Sequence, residues 1–353
     1  MKTEITEAKE ALDKIMRKGR IHLYKPIQIA EILYYSRRKS ADIDIQNLST
    51  YRNASKKWRD IVSMQLVGNK STSSARFQDN IFEDNAMPPK FLAVLDRENR
   101  EKNGIVENYI YHGISRRLQD VTEAYDYLAN IPIKNFSLQH FLNFFEYKPG
   151  LKRSVDKAYE IVVYALFSTL VDELHAKVSL TLEKPDPEIL SDFKMFVKHV
   201  LGMENGLTKL VRPARIYRAG VANAADRGLD MWANFGPAVQ VKHLRLDAEL
   251  AFEITDEIAS DDVVIVCKSA EAELIQSLLN QLGKPIRGIV TQDDLLHWYN
   301  LCLTKYQDRM GNILIKHLRN EFLHEFPSLG EILVFMKERS YSPSELTGQW
   351  KIS

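Results

Sequence analysis

Gly228-Leu229-Asp230-Met231-Trp232-Ala233-Asn234-Phe235-Gly236-Pro237-Ala238-Val239-Gln240-Val241-Lys242-His243 reads as two short strands joined by a tight turn from Asn234 to Pro237. The first strand carries one carboxylate, Asp230. The second carries an amide and an amine, Gln240 and Lys242, set between Val239 and Val241. Side chains alternate faces along a strand, so Gln240 and Lys242 share one face while Val239 and Val241 point into a core. Asp230 joins the polar face only if even-numbered residues oppose even-numbered ones across the hairpin. That requires an odd loop, which Gly236-Pro237 suits; a two-residue loop would set Asp230 opposite Val241 on the apolar face. In the odd register the residues form the pattern of a metal site. The plain alternative is an ordinary hairpin with a polar solvent face.

The surroundings of the hairpin decide the fold class. Beyond it the pattern predicts a helix over 246–258, a buried strand over 262–267, a helix over 270–282 and a stop at Gly283-Lys284-Pro285. A strand over 286–290 and a helix from Asp293 follow. Alternation of this kind after a hairpin means a mixed sheet flanked by helices, hence an α/β protein. Before it, a long helix is expected over 152–178, with Ala158, Ile161, Val162, Ala165, Leu166, Leu170 and Leu174 as its apolar stripe and Glu160 at the stripe's border. A further helix is expected over 187–201, and Arg212 to Arg218 reads as a basic extended segment or first strand. The N-terminal half reads as mostly helical, beginning with helices over 3–19 and 26–37, and residues 96–108 are charged enough to look exposed. Glu146-Tyr147-Lys148-Pro149-Gly150 is the boundary signal. The expected organisation is a helical region over 1–150, an α/β core over 151–305, and a helical extension and tail over 306–353.

Composition narrows the function. The chain has 353 residues, 45% hydrophobic and 27% charged, enough for a substantial core in one elaborated domain or two. A formal net charge of +1 gives no global basic field, so any nucleic-acid binding rests on local clusters. Cys267 and Cys302 are too few for a zinc cluster or a disulfide framework, and Cys267 reads as a small core residue. The N-terminus lacks an apolar signal region and no run of 18 apolar residues occurs, so a cytoplasmic protein without a membrane partner is expected. No glycine-rich strand-to-helix loop supports a nucleotide cofactor or an enzyme of small phosphorylated substrates.

One local cluster is distinctive. Arg52, Lys56, Lys57 and Arg59 follow Tyr51 and surround Trp58. Asn69, Ser73, Arg76, Gln78 and Asn80 lie in the polar run that comes next. Arg and Lys neutralise phosphates, hydroxyls donate to phosphate oxygens, and Asn, Gln and Arg read base edges. The bland reading is a solvated helix followed by a serine-rich loop, with Ser71 to Ser74 capping the next helix.

An acid on one strand, and a lysine on the next with a ligand-capable residue two positions before it, is the outline of the PD-(D/E)XK nucleases. Asp230 would give Mg²⁺ a hard oxygen, Gln240 a second and the Val241 carbonyl a third, while Lys242 would act beside the scissile phosphate. Gln240 stands where an acid is usual, which lowers the negative charge and makes another carboxylate desirable; Glu160 is the candidate. His243 and His297 lack a partner histidine at ligand spacing and read as structural.

Tyr51 to Asp60, Ser71 to Asn80, Glu107 to Tyr111, Tyr159 to Phe167 and Gln240-Val241-Lys242-His243 together resemble the HaeII-type restriction endonucleases, over about Lys25 to Tyr299. The resemblance implies a type II, Mg²⁺-dependent enzyme that cuts duplex DNA at a short palindrome, RGCGCY. A palindrome is most simply read by a two-fold homodimer. The rival is a catalytically inactive DNA-binding protein on a degenerate nuclease fold.

Overall fold

Helix-forming periodicity and strand alternation set the order of elements. The computed structural model describes residues 3–18, 23–38, 43–68, 70, 82, 87–204, 206–219, 229–247, 249–251, 253, 260, 262–270, 286–326 and 330–352. The helices that open the chain are α1 (Glu4–Lys18), α2 (Tyr24–Arg38), α3 (Arg52–Val67), α4 (Pro89–Glu101), α5 (Ile105–Asn130), α6 (Leu138–Tyr147) and α7 (Val155–Glu173). Then come β1 (Lys177–Thr181), α8 (Pro187–Asp192), β2 (Lys209–Pro213), β3 (Ile216–Arg218), β4 (Met231–Ala233), β5 (Ala238–Leu246), β6 (Val263–Ala270) and β7 (Ile286–Thr291). Helices α9 (Gln292–Leu303), α10 (Asn312–Glu325) and α11 (Gly330–Glu338) close the chain. The fold is α/β with a helical N-terminal half, as expected. Among the described residues no helix is long and apolar enough to cross a membrane.

The chain packs as two units. The first comprises 1–132, 137–158 and 319–353, so the C-terminal segment returns to the helical half; the second comprises 133–136 and 159–318. In the first unit Ala8, Leu12 and Ile15 of α1, and Ile27, Ile29, Ile32 and Leu33 of α2, are buried together with Leu92, Ile110 and Trp350. The charged stretch 96–108 divides: Arg97, Arg100, Glu101 and Lys102 are exposed, as composition suggests, but its two ends turn inward. Glu107 is fully buried and accepts from Arg37 Nε and Nη2 (both 3.0 Å), Asn99 Nδ2 (2.6 Å) and Tyr341 Oη (2.6 Å). Its neighbours Asp96, Asn99 and Asn108 are also buried: Asp96 Oδ2 accepts from Arg100, Asn99 Nδ2 donates to the Leu33 carbonyl, and Asn108 Nδ2 donates to the Ser342 carbonyl.

The second unit holds a five-stranded sheet in the order β3-β4-β5-β6-β7 and a separate two-stranded sheet, β1-β2. The β3–β4 and β4–β5 pairs are antiparallel, and the β5–β6 and β6–β7 pairs are parallel. Such mixed pairing places β5 at the centre, buried on both faces over Ala238–Val241. Ala238, Val263, Ile265, Cys267 and Ile286 form one apolar cluster. Cys267 is a core residue as expected, its thiol pushed up to about 11 by burial. Helix α9 starts with a capping box, Thr291 and Asp294 bonding reciprocally, and is tied to α7 by Tyr299 Oη donating to the Val162 carbonyl (2.9 Å) and by Tyr159 donating to Gln292.

Two expectations shift. The helix expected over 152–178 ends at Glu173, where Leu174 is exposed and His175 takes a left-handed backbone (φ 51°), and Val178-Ser179-Leu180 becomes strand. The helix expected from 246 starts later, since β5 runs through Leu246. Most of that helix and the one expected over 270–282 lie outside the described residues.

Candidate active site

The hairpin closes as the odd register requires. Trp232 pairs with Ala238 and Met231 with Val239, enclosing a five-residue loop, 233–237. Gly236 occupies φ 119°, a conformation that favours glycine, and its N–H donates to the Ala233 carbonyl (3.1 Å). Asn234 fastens the loop to the strand before it, accepting from Arg215 N (2.8 Å) and donating to the Pro213 carbonyl (3.0 Å). One further row of this register sets Asp230 across from Gln240, on the face that carries Ala238 and Lys242.

Asp230 is more than a neighbour of that strand. Its Oδ2 accepts from the Val241 N–H at 2.8 Å. In an extended chain the N–H and C=O of one residue aim at the same edge, so the Val241 carbonyl also faces the Asp230 side. Gln240 is 4% exposed, not on a solvent face, and pairs in register with Ile265. Its Oε1 is buried with no hydrogen-bond partner among the described residues. A buried acceptor without a donor costs about 1–3 kcal/mol, so a fold retains one where something else uses it. Lys242 is half-buried, opposite Cys267, and a bulge follows it: Lys242 pairs with Cys267 but Arg245 with Ser269. Bulges re-aim side chains and gather beside active sites.

Glu160, expected at the border of its stripe, is 4% exposed on α7. Its Oε2 lies 4.0 Å from Arg218 Nη1 in a largely buried ion pair. Arg218 stands opposite Met231, which stands opposite Val239, so Glu160 meets the β3–β4 end of the sheet from the face of Val239. The structure thus brings together Asp230, Gln240 and Val241, with Lys242 on the Gln240 face, and couples Glu160 to the sheet through Arg218. Sequence reading missed that role of Arg218. It also missed a stacked, partly exposed pair, Tyr217 and Trp232 (ring centroids 4.4 Å apart), on the same face as Asp230; Trp232 at two residues from Asp230 was the available signal.

Asp230, Gln240 and the Val241 carbonyl make a hard-oxygen set suited to Mg²⁺, and the unpartnered Gln240 Oε1 fits such a role. Among the described residues no group of three or more His, Cys, Asp or Glu could hold a metal ion.

The basic cluster divides. Arg52 and Lys57 on α3 are exposed and Lys56 is half-buried. Arg59 is turned inward: it is 2% exposed, donates to Asp60 Oδ1 from Nε (2.9 Å) and Nη2 (2.7 Å), and reaches Gln28 Oε1 (3.4 Å). Its assignment to a DNA face is corrected: the guanidinium is used up joining α2 to α3. Tyr51 is buried and Trp58 stacks on Tyr35 at 4.1 Å, so both aromatics serve packing. Asn69, Ser73, Arg76, Gln78 and Asn80 lie outside the described residues.

An α/β chain with this acid–amide–lysine hairpin fits the class of type II restriction endonucleases, site-specific deoxyribonucleases, and comparison with known proteins agrees. Residues 8–341 match the family model for HaeII restriction endonuclease, and the chain belongs to that family. It is 48% identical over 344 residues to the type II restriction enzyme HaeII of Haemophilus aegyptius, covering 96% of this chain and 97% of that one. It is 49% identical over 347 residues to the type II restriction enzyme NgoBI of Neisseria gonorrhoeae, covering 97% and 98%. No solved structure gives a significant match.

Proposed function

We propose that this restriction enzyme hydrolyses phosphodiester bonds of duplex DNA at a short palindrome, RGCGCY being the target its resemblance implies, in a Mg²⁺-dependent reaction at the β4–β5 hairpin. The observation that carries the site is the buried, unpartnered Gln240 Oε1 beside the Asp230–Val241 clamp. Asp230, Gln240 and the Val241 carbonyl are the residues that would hold the cation, and Glu160, which meets the sheet from the Val239 face, would act on the site through Arg218. Bound there, Mg²⁺ supplies Lewis-acid charge for the scissile phosphate. The Asp230–Val241 hydrogen bond fixes the carboxylate and the carbonyl edge before substrate arrives. Lys242 would place an ammonium beside the phosphoryl oxygens, where negative charge develops, and orient the attacking water through its N–H donors. Arg218 lies against Glu160 in a largely buried pair and links α7 to β3.

Residues 1–150 serve recognition and 151–305 hold the nuclease core, while 306–353 form a C-terminal extension whose residues from Arg319 onward belong to the helical first unit. Arg52, Lys56, Lys57, Ser73 and Arg76 are phosphate contacts; Asn69, Gln78 and Asn80 are the candidates for reading bases. A palindromic target is met by a homodimer acting in the cytoplasm. The amide at Gln240 favours one other reading, a binding module without catalysis.

Incubation with plasmid and Mg²⁺ separates the two. Discrete fragments support the nuclease; intact but retarded DNA supports the binding module. Lys242→Ala should lower the cleavage rate about 10²–10³-fold or more while DNA binding persists. Cutting by that variant at the wild-type rate would overturn the assignment of Lys242.

A further inference from the structure

The β1–β2 excursion of the second unit exposes more apolar surface than a monomer ordinarily shows. Its helical run, 187–201, is α8 followed by a turn at Lys194–Phe196 and a π-helical turn at Val197–Leu201, with Phe193 N donating to Ile189 O and Val197 N to Phe193 O. Ile189, Phe193, Phe196 and Val200 recur at spacings of four, three and four, the spacing of a helix–helix seam. They are 59%, 60%, 52% and 64% exposed. Ile189, Phe193 and Phe196 of the stripe themselves line a groove of about 580 Å³ whose other walls include Leu182, Leu190 and Leu201. Leu180 and Val211 are exposed on opposite faces of the β1–β2 sheet, since Leu180 pairs with Leu210 and Val211 with Ser179, so the apolar seam is the four-residue stripe itself. Single-chain proteins seldom leave such a patch uncovered. The sheet beneath is only two strands wide, an arrangement that is marginal unless something packs on it.

We propose that this stripe is the dimer seam: the 187–201 helical run of one copy packs antiparallel on that of a second copy. The charges choose the occupant. The amino end of the run is acidic (Asp186, Glu188, Asp192) and the following half is basic (Lys194, Lys198). A two-fold axis across the run sets each acidic end against the other copy's basic end, so the surface is self-complementary. A nucleic acid would meet the acidic end with repulsion.

This inference rests on the homodimer reading and locates it. Sedimentation of the full chain at micromolar concentration is expected to give a dimer for the wild type. Phe193→Asp should give a monomer with unchanged far-UV circular dichroism. A second pair of variants does not touch apolar packing: Glu188→Lys/Asp192→Lys alone and Lys194→Glu/Lys198→Glu alone should each sediment as monomers, and their mixture as a dimer. A wild-type dimer that persists in Phe193→Asp and in each charge variant overturns the seam and leaves the dimer reading standing. A monomeric wild type overturns both, whereas plasmid cleavage tests the nuclease reading separately.

Discussion

At Gln240 function and stability oppose one another. The Oε1 atom is buried beside the Asp230–Val241 hydrogen bond and has no donor among the described residues, so the apo fold carries an unsatisfied acceptor. Gln240→Met keeps the length of the side chain and removes that acceptor. It should raise the unfolding free energy of the metal-free protein by about 1 kcal/mol. On the proposed reading it should also abolish Mg²⁺-dependent cleavage, because an oxygen that would bind the cation is gone. Urea unfolding in EDTA and a plasmid assay read the two arms. A variant that is both destabilised and active would show Gln240 to be a packing residue. The alternation that put Gln240 and Lys242 on one face, and the odd loop that brought Asp230 to the same side, were legible because strand periodicity and turn parity are local. The burial of Gln240 was not, since it depends on Ile265 from another strand. The inward turn of Arg59 was hidden for the same reason: its partner Gln28 lies on α2.

Between elements, the buried polar network of the first unit ties α2 and α5 to the C-terminal segment. Glu107 gathers Arg37, Asn99 and Tyr341, while Glu31 accepts from Tyr111 Oη (2.6 Å) and Arg339 Nη2 (3.2 Å). Removing one member strands buried charge, so Glu107→Ala should cost about 3–5 kcal/mol in urea unfolding. A loss below 1 kcal/mol, on the order of an exposed pair, would contradict the network's importance. Glu31 adds a pH signature. Burial, the largest cause, raises its carboxyl above the ordinary value of 4.5, with Arg339 opposing. Above that value the unfolded chain has released a proton that the folded chain still holds, so this contribution to stability is full at low pH and declines as pH rises through the folded pKa. The stability of the wild type relative to Glu31→Gln should therefore fall from pH 4.5 upward; a rising difference would refute the shift. Local patterns announced α1, α2, β6 and β7, whose periods are self-contained. They missed this network, because a run as charged as 96–108 reads as surface until partners some 230 residues further along the chain supply the pairing. They missed β1 as well, whose apolar stripe continued that of α7 until a left-handed turn at His175 broke it.

For the molecule as a whole, a net charge of +1 means that affinity for DNA comes from where the cations sit, not from how many there are. Helix α3 shows Arg52 and Lys57 to solvent and buries Arg59 against Gln28 and Asp60, so neighbours in sequence should separate in experiment. If Arg52 and Lys57 each neutralise a phosphate, the double alanine variant should lose about 2 units of the slope of log K against log salt, from about 0.9 unit per contact. Cognate and unrelated duplexes should weaken together, because phosphates carry no sequence. Arg59→Ala should leave that slope unchanged and instead lower the unfolding free energy, having removed a buried link between α2 and α3. Fluorescence anisotropy at several salt concentrations, with cleavage prevented by Lys242→Ala, reads both quantities in one titration series. An unchanged slope in the double variant would move the DNA face off α3, and a slope that falls in Arg59→Ala would mean that the guanidinium leaves its internal partners to reach the phosphate backbone.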